Sequence, residues 1–237
     1  MKSLRIRLIA RGQIFIPCSR HELSMPGIKV VSFDMEGTLV DHTYSNLIWE
    51  VDMPRLYAEE HGVGLDEAKK MVLSEYITVG DQRAEWYDVG YWFKRLGLPG
   101  DWRDLLRIRG NTCTPYAEAN GVLRRLGRRY VLIVTSNTIR EFLEVQLRCL
   151  DTPFARVFSA PSDFNDVKKS PEFYSRVCEE LGVSPTEVSH VGDHPVYDYE
   201  AARALGIKAY HLDRSGKAVG SDVVHDLLEF EVRLNNA

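Results

Sequence analysis

Short apolar runs alternate with helical periodicity through the second half of this chain. The runs are IKVVSF (28–33), YVLIVTSN (130–137), EVSHVGD (187–193) and KAYHLD (208–213), with ARVFSA (155–160) a weaker fifth. Each is short, the first is β-branched, and a loop containing Gly37 follows it. Such runs, apolar on both faces, are the pattern of strands buried in a parallel sheet. Between them lie TIREFLEVQLRCL (138–150), SPEFYSRVCEELG (170–182) and DYEAARALG (198–206), which have helical spacing. The last two end at Gly, a usual helix stop. The alternation predicts an α/β fold, a Rossmann-like, doubly wound parallel sheet.

The pattern changes between residues 45 and 116, where no good strand is found. Amphipathic helical stretches replace it: NLIWEVDMPRLYAEEHG, GLDEAKKMVLSEYI, AEWYDVGYWFKRLG and DWRDLLRIRG. Trp86, Val89, Gly90, Phe93 and Leu96 recur at helical spacing, a stripe better explained by core packing than by a ligand box. The expected organisation is an α/β core over 25–44 and 117–237, an inserted all-helical cap over 45–116, and an N-terminal extension over 1–24. That extension holds Lys2, Arg5, Arg7, Arg11 and Arg20 against Glu22 alone. Arginines interrupt its apolar stretches, so it does not read as a secretory signal. Met25 has the look of a natural start. Whether residues 1–24 form an upstream extension or an ordered arm is open at this level.

The net charge of −4 and pI near 6.0 predict no basic face, and so no nucleic-acid partner. No apolar run approaches the ~20 residues of a membrane span. Cys18, Cys113, Cys149 and Cys178 show no zinc-ligand spacing and suit buried thiols in a reducing, cytoplasmic setting. Gly62 and Gly64 follow no strand and lack a third glycine, which excludes a dinucleotide fingerprint.

Ligands of open parallel sheets bind beyond the carboxyl ends of the strands. Asp34 and Glu36 follow the first strand. Thr135, Ser136 and Asn137 close the second. Asp193 follows the third long run, and Lys168 and Lys169 precede a helix. A carboxylate in such a set can act as nucleophile, and paired aspartates form a hard oxygen site suited to Mg²⁺. Lysine and hydroxyl groups can hold phosphate oxygens, while a second acid moves protons. Phosphoryl transfer to an aspartate accounts for every member of the set.

FDMEGTLVD resembles the first motif of the haloacid dehalogenase-like (HAD) hydrolase superfamily, and VLIVTSN resembles its second. KKSPEFY resembles the third and VGDHPVYDYEAARALGIKAYHL the fourth. Together these cover roughly 28–43 and 117–213. The resemblance implies that Asp34 is the nucleophile and a Mg²⁺ ligand. Glu36 would be the general acid/base, with its backbone carbonyl at the metal. Thr135 would bond the transferring phosphoryl group, beside Ser136 and Asn137. Lys168 would steady the nucleophile, the motif placing its lysine three residues before Pro171; Lys169 stands where proline is usual. Asp193 would complete the metal site, and Asp198 would serve the metal, its bound water or the lysine. A cap between the first and second motifs would choose the substrate, with Arg83 or Lys94 meeting a second anionic group and Trp86, Tyr87, Tyr91 and Trp92 available to stack.

The expected activity is a Mg²⁺-dependent phosphomonoesterase acting on a small phosphorylated metabolite through an aspartyl phosphate. A phosphomutase, a dehalogenase on the same core, and a non-catalytic phosphometabolite-binding protein are the alternatives. An acid at Glu36 argues against dehalogenation, since the dehalogenase branch lacks one there.

Overall fold

The computed structural model describes residues 27–236. The expectations for residues 1–24, and Cys18 with them, lie outside that range. The described chain forms one six-stranded sheet in the order β3-β2-β1-β4-β5-β6. The strands are β1 (Val30–Phe33), β2 (Val131–Ser136), β3 (Arg156–Ser159), β4 (Val188–Gly192), β5 (Lys208–Leu212) and β6 (Val223–Val224). Every pairing is parallel, with Val30 opposite Val131 on one side and Val188 on the other. All five runs picked out by their apolar pattern are strands, the weak one included.

Between β1 and β2 the chain is helical. It runs through α1 (Thr43–Asn46), a π-helical segment (Leu47–Asp52), α2 (Met53–His61), α3 (Leu65–Val79), α4 (Val89–Arg95) and α5 (Trp102–Arg109). This insert leaves and rejoins the sheet through a closed neck. Asp41 N–H donates to the Thr114 carbonyl and Tyr116 N–H to that of Leu39, each at 3.0 Å. The sheet is flanked further by α6 (Ala119–Leu126), α7 (Arg140–Leu147), α8 (Ala160–Phe164), α9 (Pro171–Leu181), α10 (Ala201–Ala204) and α11 (Leu227–Asn235). No helix among the described residues is long and apolar enough to cross a membrane.

Strand alternation sorts side chains between two cores. Val31 and Phe33 enter the larger one with α6, α7, α11 and the insert, where Phe33 meets Phe230 edge-on at 5.8 Å. Val30 and Ile133 enter the other with Phe173, Tyr174 and Ala202. On that second face the pattern turns polar toward the strand ends. Ser32, Asp34, Thr135 and His190 are all buried there. Buried polar groups are costly unless they are paired, so this corner must be wired together.

Candidate active site

The turn after β1 begins the site. Leu39 and Val40 N–H groups both donate to the Met35 carbonyl, and Gly37 N–H donates to Val40. Gly37 has φ +74°, and a Cβ built on it would stand 2.2 Å from Asp193 Oδ2. Only glycine satisfies both the left-handed backbone and the approach of the Asp193 carboxylate. Arg214 braces the turn from behind, donating to the carbonyls of Gly37 (3.0 Å) and Thr38 (2.8 Å).

Asp34 is 6% exposed, and Lys169 donates to its Oδ1 at 2.5 Å. The same ammonium donates to Asp198 Oδ1 and, at 3.2 Å, to the Thr135 carbonyl. The expectation for Lys168 is therefore corrected: the ammonium at Asp34 belongs to Lys169. Asn137 Oδ1 accepts the Lys169 backbone N–H at 2.7 Å, and Ser170 caps α9 with Pro171 in its first turn. Those two anchors turn Lys169 inward. Lys168 points the other way. It reaches Asp81 in the insert at 3.1 Å and lies over the rings of Tyr87 (5.2 Å) and Tyr197 (4.8 Å).

The Thr135 expectation also changes. Its hydroxyl is fully buried and pairs with Ser32 Oγ at 2.9 Å, inside the sheet face. Ser32 continues to His190 Nδ1 at 2.9 Å, and His190 Nε2 lies 3.1 Å from both Asp198 Oδ1 and the Tyr174 hydroxyl. Thr135 thus belongs to a buried wire beneath the site. Ser136 is the last residue of β2, and its Oγ accepts the Thr138 N–H of the turn that follows at 3.1 Å.

Asp34, Asp193 and Asp198 each offer a carboxylate oxygen within 4.8 Å of the others. Three acids here face one ammonium, that of Lys169. Burial pushes Asp34 well above the usual carboxylate range; Lys169 opposes this, and the Asp198 and Asp193 charges add to it. Burial would raise Asp198 too, but the charge of Lys169 and the bonds from His190 and Lys169 win, and it is held low. Lys169 is raised, since the charges of Asp198 and Asp34 outweigh its burial. A hard oxygen cluster with surplus negative charge fits a divalent cation such as Mg²⁺. Both Asp198 oxygens are already engaged, Oδ1 by Lys169 and His190 and Oδ2 by the His194 N–H at 3.0 Å. Asp34 Oδ2, which accepts only a long 3.5 Å bond from the Thr38 hydroxyl, and Asp193, with His42 3.7 Å away, are the less engaged carboxylates and the better placed to hold an ion. His194 caps the following helical turn through Nδ1, which accepts the Val196 and Tyr197 N–H groups.

Glu36 points away from this cluster. Gln146 of α7 donates to its Oε1 at 2.6 Å. Burial raises the Glu36 carboxyl above its ordinary value, against the opposing effects of Ser45, His42 and Gln146. Glu36 lines a cavity of about 410 Å³ roofed by Trp49, Tyr76, Trp86 and Trp92. Tyr76 and Trp92 pack edge-on at 4.6 Å, and Trp49 stacks on Phe142. Among its described lining residues none is Lys or Arg. Arg83 is instead exposed and tied to Glu85 at 2.5 Å, and Lys94 is exposed on α4. The expectation that either meets a second anion at this cavity is not supported by where they lie. Gln146, His42 and Arg214 were not singled out in the sequence. Each acts through a contact made across the fold, which no local motif announces.

A family model described as haloacid dehalogenase-like hydrolase matches residues 28–206. The GMP/IMP nucleotidase YrfG of Escherichia coli is 24% identical over 186 residues, covering 76% of this chain and 81% of that protein. The glyceraldehyde 3-phosphate phosphatase of Pyrococcus abyssi is 28% identical over 198 residues, covering 76% and 79% respectively. The crystal structure of a HAD phosphatase from Thermococcus onnurineus aligns with a TM-score of 0.75 at 25% identity, over 87% of this chain and 98% of that one.

Proposed function

The chain belongs to the haloacid dehalogenase-like hydrolases, and we propose that it is a Mg²⁺-dependent phosphomonoesterase that works through an aspartyl phosphate. The observation that carries this reading is the Asp34–Lys169–Asp198 contact set beside Asp193, with Glu36 held separately at the mouth of the cavity. Asp34 and Asp193 would hold the ion, with the Glu36 backbone carbonyl. Bound there, the ion would offset the surplus negative charge and polarise the phosphoryl oxygens.

Asp34 attacks phosphorus, forming an O–P bond to the carboxylate as the ester O–P bond breaks. Lys169 fixes one Asp34 oxygen, leaving the other to react, and its charge opposes the build-up of negative charge. Glu36 gives its proton to the leaving oxygen. The resulting carboxylate then takes a proton from the water that attacks phosphorus, as the Asp34 O–P bond breaks to restore the carboxylate and release inorganic phosphate. We assign the phosphoryl-facing hydroxyl to Ser136 in place of Thr135. Lys168, bridging core loop and insert, would hold the insert closed.

The cavity favours one substrate class. Its aromatic walls suit a flat or apolar body, and its lack of lysine and arginine disfavours a second phosphate. A nucleoside monophosphate meets both conditions, and a nucleotidase stands among the relatives. The test is inorganic phosphate release from nucleoside monophosphates, triose and hexose phosphates, with Mg²⁺ and with chelator. Faster release from nucleotides, abolished by chelation, is expected. Faster release from triose phosphates would overturn the substrate class, and release untouched by chelation would overturn the metal.

Glu36→Gln tests the proton assignment. Turnover should fall by roughly 10²–10⁴-fold on alkyl phosphates and far less on activated aryl phosphates, whose leaving oxygen needs no acid. Its raised carboxyl keeps the acid form to higher pH than an ordinary glutamate does, so wild-type turnover on alkyl phosphates should decline only as pH climbs past that raised value. Equal losses on both ester types would remove Glu36 from the acid role.

A further inference from the structure

A second reactive site lies at the neck of the insert. Cys113 sits just before the segment that hydrogen-bonds Asp41 and Leu39, while Cys149 follows α7 in the core. Their sulfurs are 3.0 Å apart although the residues are 36 positions apart in sequence. Contact at that distance is about 1 Å beyond the ~2.05 Å of an S–S bond. Neither cysteine is disulfide-bonded.

The pair has an entrance. Cys149 lines a cavity of about 240 Å³ that also presents Arg107 from the insert and Arg148 from the core. Arg107 pairs with Asp104, and among the described residues Arg148 has no acidic partner within salt-bridge distance. Cys113 is only 8% exposed and is not among the residues lining this cavity. The hydrogen bond from Cys113 keeps the Cys149 thiol below its ordinary value, and a lower thiol is the readier nucleophile near neutrality. In the reduced pair the bond to Cys149, together with burial, pushes Cys113 upward, so Cys149 acts first; once Cys149 is in a mixed disulfide its contribution is gone and Cys113 ionises more readily.

We propose that Cys113 and Cys149 form an oxidisable dithiol site for small anionic disulfides of the glutathione type, joining the neck of the insert to α7. Cys149 thiolate attacks one sulfur of the incoming disulfide, whose S–S bond breaks to release one glutathione thiolate. Cys113, as its thiolate, then attacks the Cys149 sulfur of the mixed disulfide and releases the second. Two protein thiols are oxidised, one disulfide is reduced to two thiols, and the two thiol protons pass to the departing thiolates. Arg107 and Arg148 receive the carboxylates of the disulfide.

The consequence reaches the candidate active site through α7. Gln146, one turn from Cys149, donates to Glu36, while Phe142 and Ile139 wall the aromatic cavity. A covalent tie from this helix end to the neck restrains the insert relative to Glu36, so oxidation should lower turnover.

The full-length protein is incubated with glutathione disulfide and mapped by non-reducing peptide mass spectrometry, which does not depend on any activity. A Cys113–Cys149 linked peptide, removed by dithiothreitol, is expected. Cys113→Ser should stop at a glutathione adduct on Cys149, and Cys149→Ser should give neither product at this site. Arg148→Glu should slow reaction with glutathione disulfide by ~10-fold and leave reaction with neutral hydroxyethyl disulfide unchanged. p-Nitrophenyl phosphate hydrolysis should fall by ~5-fold or more in the linked wild type and recover on reduction. Absence of the linked peptide, or linkage through Cys18 or Cys178 instead, overturns the site. Linkage with unaltered hydrolysis overturns the coupling to turnover, and equal slowing toward both disulfides in Arg148→Glu overturns the anionic reagent.

Discussion

Asp34→Asn should abolish phosphate release while leaving the protein as stable as before, or more so. The loss should reach at least ~10³-fold on every ester, because an amide oxygen cannot form the acyl phosphate. The stability half follows from the surroundings of Asp34. Burial, with Asp198 and Asp193 nearby, raises its carboxyl above the unfolded value, so the folded protein binds that proton more tightly. A carboxyl shifted in this direction favours the folded state fully below its unfolded value, and loses that contribution as pH climbs through the folded one. At neutral pH its ionisation therefore opposes folding. Asparagine removes the opposing charge and leaves Lys169 paired with Asp198. Thermal melts at pH 7 without metal should show Tm unchanged or raised by a few degrees, the gain shrinking toward acid pH. Adding Mg²⁺ should raise the wild-type Tm and move the variant much less, since one carboxylate of the cluster is gone. A variant that melts far below wild type, or still releases phosphate at an appreciable rate, would remove Asp34 from the centre of the site.

The sheet was legible because buried parallel strands are short, largely apolar runs: β1 and β2 are rich in β-branched residues, and β4 and β5 keep enough apolar positions to show through their Ser, His and Lys residues. Even ARVFSA, with only its last half buried, forms β3. The elements that went unread are those whose pattern is short or whose partner is remote. β6 has two residues, and α11 is recognisable as core only once Phe230 meets Phe33 and Tyr210. α6 was passed over although its apolar stripe is strong, because it lies where the insert rejoins the core and its neighbours in sequence are loops.

The site was legible as a set of strand ends and less so as individual side chains. Asp34, Glu36 and Asp193 sit where their place beyond a strand puts them. Lys168 and Lys169 are adjacent in a loop, and a loop has no side-chain period. Which lysine turns inward is decided by Asn137 gripping the Lys169 N–H, a contact across 32 residues. Thr135 and Ser136 fail for the opposite reason. They lie in a strand whose faces alternate, but choosing between them required knowing that Ser32 and His190 were waiting beneath the first. The aromatic insert looked like core and is both: Trp92 is buried, yet it also roofs the cavity.

Substituting the neighbouring lysines should separate a fully buried charge from a partly exposed one. Lys169 is 1% exposed, between Asp34 and Asp198. Lys169→Met leaves those carboxylates facing each other without a cation, and orphaning one partner of a buried ion pair costs roughly 3–5 kcal/mol. In a chain of this length that corresponds to a fall of about 10 °C in Tm, alongside loss of phosphate release. The same chain with Asp34→Asn added should regain part of that fall, because one of the orphaned charges is gone while the reaction stays dead. Lys168→Met breaks a contact to Asp81, whose side chain is 51% exposed, so its Tm should stay within a few degrees of wild type. Its effect should fall on KM, as the core loop loses its hold on the insert at Tyr87. Differential scanning calorimetry of the four proteins with steady-state kinetics reads both halves. If Lys168→Met instead abolished release and Lys169→Met kept it, the buried Lys169 ammonium would be a structural counter-ion and the reacting lysine would be Lys168. That result would require the loop before α9 to turn over on substrate binding, exchanging the Asn137 contact for another.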